Sequence, residues 1–375
     1  MMKRGRELRL LGLGLLLLLL VMGLAVGSGD LEEAIIGTDA AGNLVINSSR
    51  VPGGGRVLVD GVDVQALQTA CADLLQAQAE LLAAQARLEA RLRRVPLYEP
   101  QIYVVGGLNG NMSEQVYMFN GTRWWSTAAL PTPRFSLAAA VLNDGLYVLG
   151  GLYYMGMDGS APITTAAVEV LDGLVWRPVP PLPQARGRLS AVTFQNALYV
   201  IGGMMGTDRP TAVFRFDGST WTEAAPLSFP RLDAAAVVFQ DEIYLIGGRN
   251  GSVLAVTEIF NGTAWRPGPS TQVARYALTA VVFENSIYAL GGHSGPNGVG
   301  VLALVEVLVG QTWQTRTPLN TARYFLAAAV LGDGLYVMGG RNQVDLASVE
   351  RFNGTAWQAA PPMPSPRNGF AAVVY

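Results

Sequence analysis

Six pairs of adjacent glycines and six tryptophans hold one register along this chain, and that register leaves few folds open. The pairs begin at Gly106, Gly150, Gly202, Gly247, Gly291 and Gly339, and the tryptophans that follow are Trp124, Trp176, Trp221, Trp265, Trp313 and Trp357. From each of the first five tryptophans to the next pair is 26 residues every time; from pair to tryptophan the gaps are 18, 26, 19, 18, 22 and 18. All length variation therefore lies just after the glycines. A tyrosine stands three residues before every pair, from Tyr103 to Tyr336. An arginine stands ten after every tryptophan: Arg134, Arg186, Arg231, Arg275, Arg323 and Arg367. So many positions in phase over six copies mark a structural repeat.

Each copy reads as four short strands. An Ala/Val-rich run such as SLAAAVL (136–142) comes first, then a turn such as NDG, a strong hairpin signal. GLYVLGG (145–151) is the second strand, rich in apolar and aromatic residues. After the variable loop, VTEIF (256–260) is a third, N-G or D-G a tight turn, and TAWRPG (263–268) a fourth that carries the tryptophan. One such unit cannot bury both faces alone. Six arranged radially bury one another as a propeller. The first unit begins at its second strand, QIYVVGG (101–107), and the chain's last run, GFAAVVY (369–375), is a first strand with nothing after it. Pairing the two closes the ring and removes exposed edges. The expected class is all-β: a six-bladed propeller over 96–375, closed by the C-terminal strand.

The hexapeptide FNGTAW occurs at 260–265 and again at 352–357, with FNGTRW and FDGSTW as near copies. Its first reading is a hairpin turn plus a packing tryptophan. It also fits the N-x-[ST] acceptor pattern, but an N-G turn is what the fold requires there anyway.

Ahead of the propeller the composition changes. MMKRGRELR is basic, residues 10–26 are apolar or glycine, and GSGD follows. This basic–apolar–small order is that of an export signal over 1–27, cleaved after Gly27, or of a membrane anchor through 10–26. Either places the body outside the cytoplasm, secreted or held at the cell envelope. Residues 28–61 read as a short extended segment. Residues 62–95 lack proline and glycine, and Leu67, Leu74, Leu81 and Leu88 recur every seven. That spacing gives a short helical coiled-coil stalk able to join copies of the chain, or equally a helix that serves as a spacer.

Chemistry is sparse. The net charge is −2, which gives no reason to expect nucleic acid. A single cysteine, Cys71, rules out an internal disulfide framework, and a single histidine, His293, rules out a multi-histidine metal site within one chain. No nucleophile–base–acid pattern stands out, and no metal or cofactor is implied. The loops after the glycine pairs and the connections carrying the six arginines leave the same face of an antiparallel blade. The longest loops, 152–166 and 293–300, belong to opposite blades, so Tyr153, Tyr154 and His293 flank the mouth of the ring. Arg188 falls outside the repeat and is a candidate contact. The six repeat arginines are candidates too, with loop-carbonyl bonding as the rival role. A guanidinium suits a carboxylate.

The glycine pair, its preceding tyrosine, the tryptophan at fixed spacing and Pro133-Arg134, Pro230-Arg231 and Pro366-Arg367 together resemble the kelch repeat. The resemblance covers about 96–375. An acid of the third strand stands at Glu169, Glu258, Glu306 and Glu350, while Tyr117 and Phe214 replace it in blades 1 and 3. The resemblance implies a binding platform for a protein or glycan. The copper enzymes of the family need several histidines and a propeller cysteine, where this propeller has one histidine and no cysteine. The enzymatic alternative is a metal-independent sugar-modifying activity like that of the exported sialic-acid mutarotases.

Overall fold

The computed structural model describes residues 35–38, 44–47, 58–59, 62–63, 76–80, 99–155, 161–295 and 300–375. The chain divides into two compact units, 1–95 and 96–375. In the first, Ile35–Thr38 pairs antiparallel with Leu44–Asn47, and Leu58–Val59 with Val62–Asp63. Asp60-Gly61 separates the second pair in sequence, a favoured two-residue hairpin link. Val62 and Asp63 are thus strand, which corrects a helical stalk beginning at 62. A helical turn is present at 76–80. The remainder of the expected stalk and the apolar segment 10–26 lie outside the described residues. Among the described residues no helix is long and apolar enough to cross a membrane.

The second unit is the expected propeller. Six four-stranded antiparallel sheets follow one another, and five run in simple chain order. In blade 2 the strands are Ala138–Leu142, Gly145–Leu149, Val168–Asp172 and Val175–Pro178. Blade 1 is composite: the chain's end, Ala371–Val374, pairs with Ile102–Val105 and supplies its innermost strand. The inner strand of each blade touches that of the next, and the sixth touches the first. Small side chains such as Ala138 and Ala140 permit this crowding near the axis, and the second strand is buried along its whole length in blade 2.

Each tryptophan rivets its blade to the one before. The indole N–H of Trp221 donates to the Pro180 carbonyl, that of Trp265 to Ala225, that of Trp357 to Thr317, and that of Trp124 crosses the seam to Pro361, all within 2.9–3.1 Å. The repeated hexapeptide is now explained. Asn261 Oδ1 accepts the N–H groups of Thr263 and Ala264 at 2.9 Å each, Gly262 takes φ +99°, and Phe260 packs against Trp265 with ring centroids 5.0 Å apart. The asparagine holds the turn and the two rings fill the space between blades.

Candidate functional site

The six repeat arginines are wholly buried, with no exposed area in any of them. This corrects their reading as ligand contacts. Each joins two blades. The carbonyl of Arg231 accepts the N–H of Gly203 in blade 3 at 2.9 Å, while its guanidinium donates to the Gly247 and Val256 carbonyls of blade 4 at 3.2 and 3.0 Å. The glycine pair is required by that contact. A Cβ on Gly202 would lie 2.5 Å from the Arg231 carbonyl oxygen, and the φ there is +65°. The same approach recurs at Gly150, where a Cβ would lie 2.4 Å from the Arg186 carbonyl oxygen.

A buried guanidinium needs compensation. Four arginines pair with the third-strand acid of their blade: Arg134 with Glu169 at 2.5 Å, Arg231 with Glu258 at 2.6 Å, Arg275 with Glu306 at 2.7 Å and Arg323 with Glu350 at 2.5 Å. The two blades without that acid use an aromatic face. Arg186 lies over Phe214 at 4.9 Å and Arg367 over Tyr117 at 4.7 Å. Carbonyls of Gly202 and Ala212 accept from Arg186, and those of Gly106 and Gln115 from Arg367. Desolvation pulls both guanidinium pKa values down to about 10, still far enough above neutrality to keep them charged.

Two residues beyond each arginine the chain reaches the axis. Ser136, Arg188, Asp233, Ala277, Phe325 and Gly369 form a closed cycle of backbone hydrogen bonds. Arg188 N–H donates to Ser136 O (2.8 Å), Asp233 to Arg188 (3.0 Å), Ala277 to Asp233 (2.8 Å), Phe325 to Ala277 (2.9 Å), Gly369 to Phe325 (3.0 Å) and Ser136 to Gly369 (2.6 Å). All six lie in the left-handed region, with φ between 49° and 59°. Only one is glycine, although that backbone suits glycine best. These residues and their neighbours line a small cavity of about 90 Å³ at the mouth of the ring.

Around this cycle the chemistry is uneven. The residue after each repeat arginine pairs with the residue after a glycine pair, as in Phe135↔Leu152, Leu232↔Arg249, Tyr276↔His293 and Tyr324↔Arg341. On blade 2 this rim is apolar. Tyr153 sits in a short hairpin strand paired with Ile163, and Tyr154 stacks on Phe135 at 5.5 Å while its N–H donates to Met112 Sδ at 3.3 Å. Met155 beside it is 75% exposed. On blades 4 to 6 the rim is charged and aromatic. Asp233 Oδ2 accepts from Arg188 Nη1 at 3.0 Å and from Arg249 Nε at 2.9 Å. Arg249 lies over the Tyr276 ring at 4.4 Å and Arg188 over Phe325 at 5.5 Å. Asp345 is similarly held by Arg341 at 2.8 Å and Asn368 at 2.7 Å.

His293 is buried rather than offered to a ligand. Its ring lies 5.3 Å from that of Tyr276 and 5.2 Å from that of Tyr324, and Nδ1 accepts the Gly295 N–H at 3.1 Å. Desolvation lowers its pKa and nearby Arg249 lowers it further. Arg188 does stand at the mouth. Asp233, Arg249, Tyr276, Tyr324 and Phe325 were not visible as site residues in the sequence. Their signal is positional: the six letters two places after the arginine are S, R, D, A, F and G, the one phase close to the arginine where every copy differs. Among the described residues no group of three or more His, Cys, Asp or Glu side chains could hold a metal ion.

The model of the Kelch motif matches residues 185–228, 230–272 and 322–364, which are blades 3, 4 and 6. Blades 2 and 5 carry the long loops, and blade 1 is split between the two ends of the unit. Kelch repeat protein C2 of Vaccinia virus (strain Western Reserve) is 33% identical over 107 residues, 28% of this chain and 20% of that protein. The human Kelch repeat and BTB domain-containing protein 12 is 28% identical over 167 residues, 39% of this chain and 27% of that protein. The chain therefore spans about a fifth to a quarter of these relatives. The solved structure of YjhT superposes with a TM-score of 0.56 at 15% identity, covering 70% of this chain and 98% of that one. That likeness concerns the fold alone.

Proposed function

The chain belongs to the kelch-repeat β-propeller family, and from that premise we propose that its propeller is a protein-binding module gripping a partner at the central mouth. One observation carries the reading. Five of the six residues of the axial cycle keep a side chain in a backbone conformation that favours glycine, and those side chains all differ. Strain held at a concave rim is typical of a recognition site. Divergence at that phase, inside a repeat otherwise so regular, is what selection for a ligand leaves behind. Arginine and aromatic side chains dominate the charged half of the rim, and these residue types carry most binding energy at interfaces.

The test is affinity capture with the full chain and with a variant carrying Arg188→Gly, Asp233→Gly and Phe325→Gly. The expected result is a partner protein held by the first and lost by the second, with unchanged folding by circular dichroism. Equal capture by both would move the site off the mouth.

We further propose an extracytoplasmic setting, with the stalk raising avidity by joining copies. The basic–apolar–small order of 1–27 and the leucines recurring every seven from Leu67 to Leu88 support this. Fractionation of the source cells and sedimentation of the full chain test the two parts. A cytoplasmic product, or a monomer at micromolar concentration, would reject the corresponding one.

A further inference from the structure

The hairpin turn and the packed rings account for the Phe, Asn, Gly and Trp of the hexapeptide FNGTAW and leave its threonine over. At this phase Asn and Thr occur together in blades 1, 4 and 6, as Asn120 with Thr122, Asn261 with Thr263 and Asn353 with Thr355. Both are absent from the other three blades, where Leu174, Ser219 and Gln311 take the threonine's place. The turn itself asks for neither. In blade 3 Asp217 Oδ1 accepts the N–H groups of Ser219 and Thr220 at 2.8 Å each. These are the bonds that Asn261 Oδ1 makes in blade 4 and Asn353 Oδ1 in blade 6. An aspartate therefore serves the turn as well as an asparagine does. What asparagine adds is its NH2 group.

That group has no task in the fold. Among the described residues nothing accepts a hydrogen bond from Nδ2 of Asn120, Asn261 or Asn353, whereas Nδ2 of Asn320 donates to the Trp357 carbonyl at 3.1 Å and that of Asn368 to Asp345 at 2.7 Å. The hydroxyls of Thr263 and Thr355 are equally without partners there, and that of Thr122 reaches only Asn120 Oδ1, at 3.0 Å. The three asparagines and the three threonines are all exposed. Resting on the extracytoplasmic reading of this chain, we propose that Asn120, Asn261 and Asn353 are N-glycosylation sites. Each Nδ2 forms a bond to the anomeric carbon of a sugar carried on a lipid diphosphate. The sugar–phosphate bond breaks, the lipid diphosphate leaves with the electron pair, and the nitrogen gives one proton to a basic group of the transferase. The threonine hydroxyl two residues on is what the transferase reads. The product is still an amide, so Oδ1 keeps the two bonds that hold the turn. The turns between third and fourth strands lie at the opposite end of the blades from the loops of the mouth, so three glycans there leave the mouth open.

The test is peptide mapping by mass spectrometry on the full chain expressed in and recovered from the source cells, with the wild type beside Asn261→Asp and Thr263→Ala. Electron-transfer fragmentation keeps a sugar on its asparagine and so locates it. The expected result is a glycan mass on Asn120, Asn261 and Asn353. At Asn261 it should vanish in both variants while the other two sites keep theirs. Asn261→Asp retains the oxygen that holds the turn, and Thr263→Ala leaves the asparagine untouched, so both variants should keep the wild-type circular dichroism. An exported chain with all three asparagines bare would overturn the sites and keep the setting. A bare chain found in the cytoplasm would overturn the setting and the sites with it. Glycan confined to the other acceptor patterns, at Asn47, Asn111 and Asn250, would overturn the assignment to the hairpin turns. Glycan that persists on Asn261 in Thr263→Ala would overturn recognition through the threonine.

Discussion

Two rings encircle the axis of this propeller only two residues apart, and they differ in nearly every respect. The outer ring is six arginines, the same in every blade, buried and bonded to neighbouring carbonyls with an acid or an aromatic face beside each. The inner ring is Ser136, Arg188, Asp233, Ala277, Phe325 and Gly369, different in every blade and all in the left-handed backbone region. Repetition follows the demands of closure, since each blade must dock on the next in the same way. The inner ring meets solvent at the mouth, so only its backbone has to repeat. Side-chain identity there is free to be set by something outside the fold.

The largest effect should come from breaking the outer ring. Arg275 and Glu306 are both completely buried, 2.7 Å apart. Arg275→Met strands the Glu306 carboxylate without a counter-charge, and removing one partner of a buried pair typically costs about 3–5 kcal/mol. Urea denaturation of the full chain should show a loss of that order at unchanged slope. A loss below about 1 kcal/mol would mean that the outer ring is not what holds the blades together.

The next experiment sharpens the comparison within the outer ring. Arg186 has an aromatic face where Arg231 has an acid. Phe214→Ala should cost about 3 kcal/mol, since it opens a cavity and removes the π face. Phe214→Glu places a carboxylate where Glu258 stands in blade 4, and should lose less than half as much. Equal losses would show that Arg186 needs the ring's volume rather than compensation of its charge.

The outer ring and the blades were legible in the sequence because they repeat. Glycine pairs, tryptophans and arginines kept phase, and each structural demand recurs six times, so noise averaged out. Even the missing acids at Tyr117 and Phe214 were readable as departures. The inner ring was not. In the sequence Ser136 and Leu137 extend the run SLAAAVL, so the pattern assigns them to the first strand. The strand in fact starts at Ala138, and Ser136 turns left-handed at φ +49°. Glycine would have announced that turn, but five copies carry other residues. The enclosure of the arginines is hidden in the sequence for a related reason. An arginine in a loop reads as a surface residue, and only the approach of two blades shows that it is enclosed. The stalk was overextended because the D-G hairpin at its start is two residues long on each side, too short for periodicity to register.

A smaller effect separates the two halves of the rim. His293 is enclosed by Tyr276 and Tyr324, and burial depresses its pKa. The unfolded chain therefore takes up a proton, as pH falls through the ordinary imidazole range near 6.5, that the folded chain refuses. Stability present at pH 7.5 should be lost progressively toward pH 5. His293→Gln should flatten that part of the profile. Tyr154→Phe, on the apolar half, should leave its slope as it is. Parallel profiles for the wild type and His293→Gln would place the histidine in a solvated setting.

The smallest effect tests the inner ring's strain most directly, because it can be read where no ligand contact is at stake. Ala277 belongs to the inner ring at φ +52°, and Ala280 lies three residues on in the inner strand of blade 5, Thr279–Phe283. The same substitution should act with opposite sign at the two places. Ala280→Gly loses about 0.5–1 kcal/mol, as glycine does in any regular strand. Ala277→Gly relieves a left-handed conformation that costs an L-residue roughly 1–2 kcal/mol, offset by glycine's greater freedom when unfolded, and should gain up to about 1 kcal/mol. Calorimetry on both variants reads the difference. If Ala277→Gly also loses stability, the cycle of hydrogen bonds has made the left-handed backbone comfortable for any residue. The varied side chains of the mouth would then be no sign of selection. If it gains, five blades keep a side chain where glycine would hold the fold better, and the reason has to be something that the side chains touch.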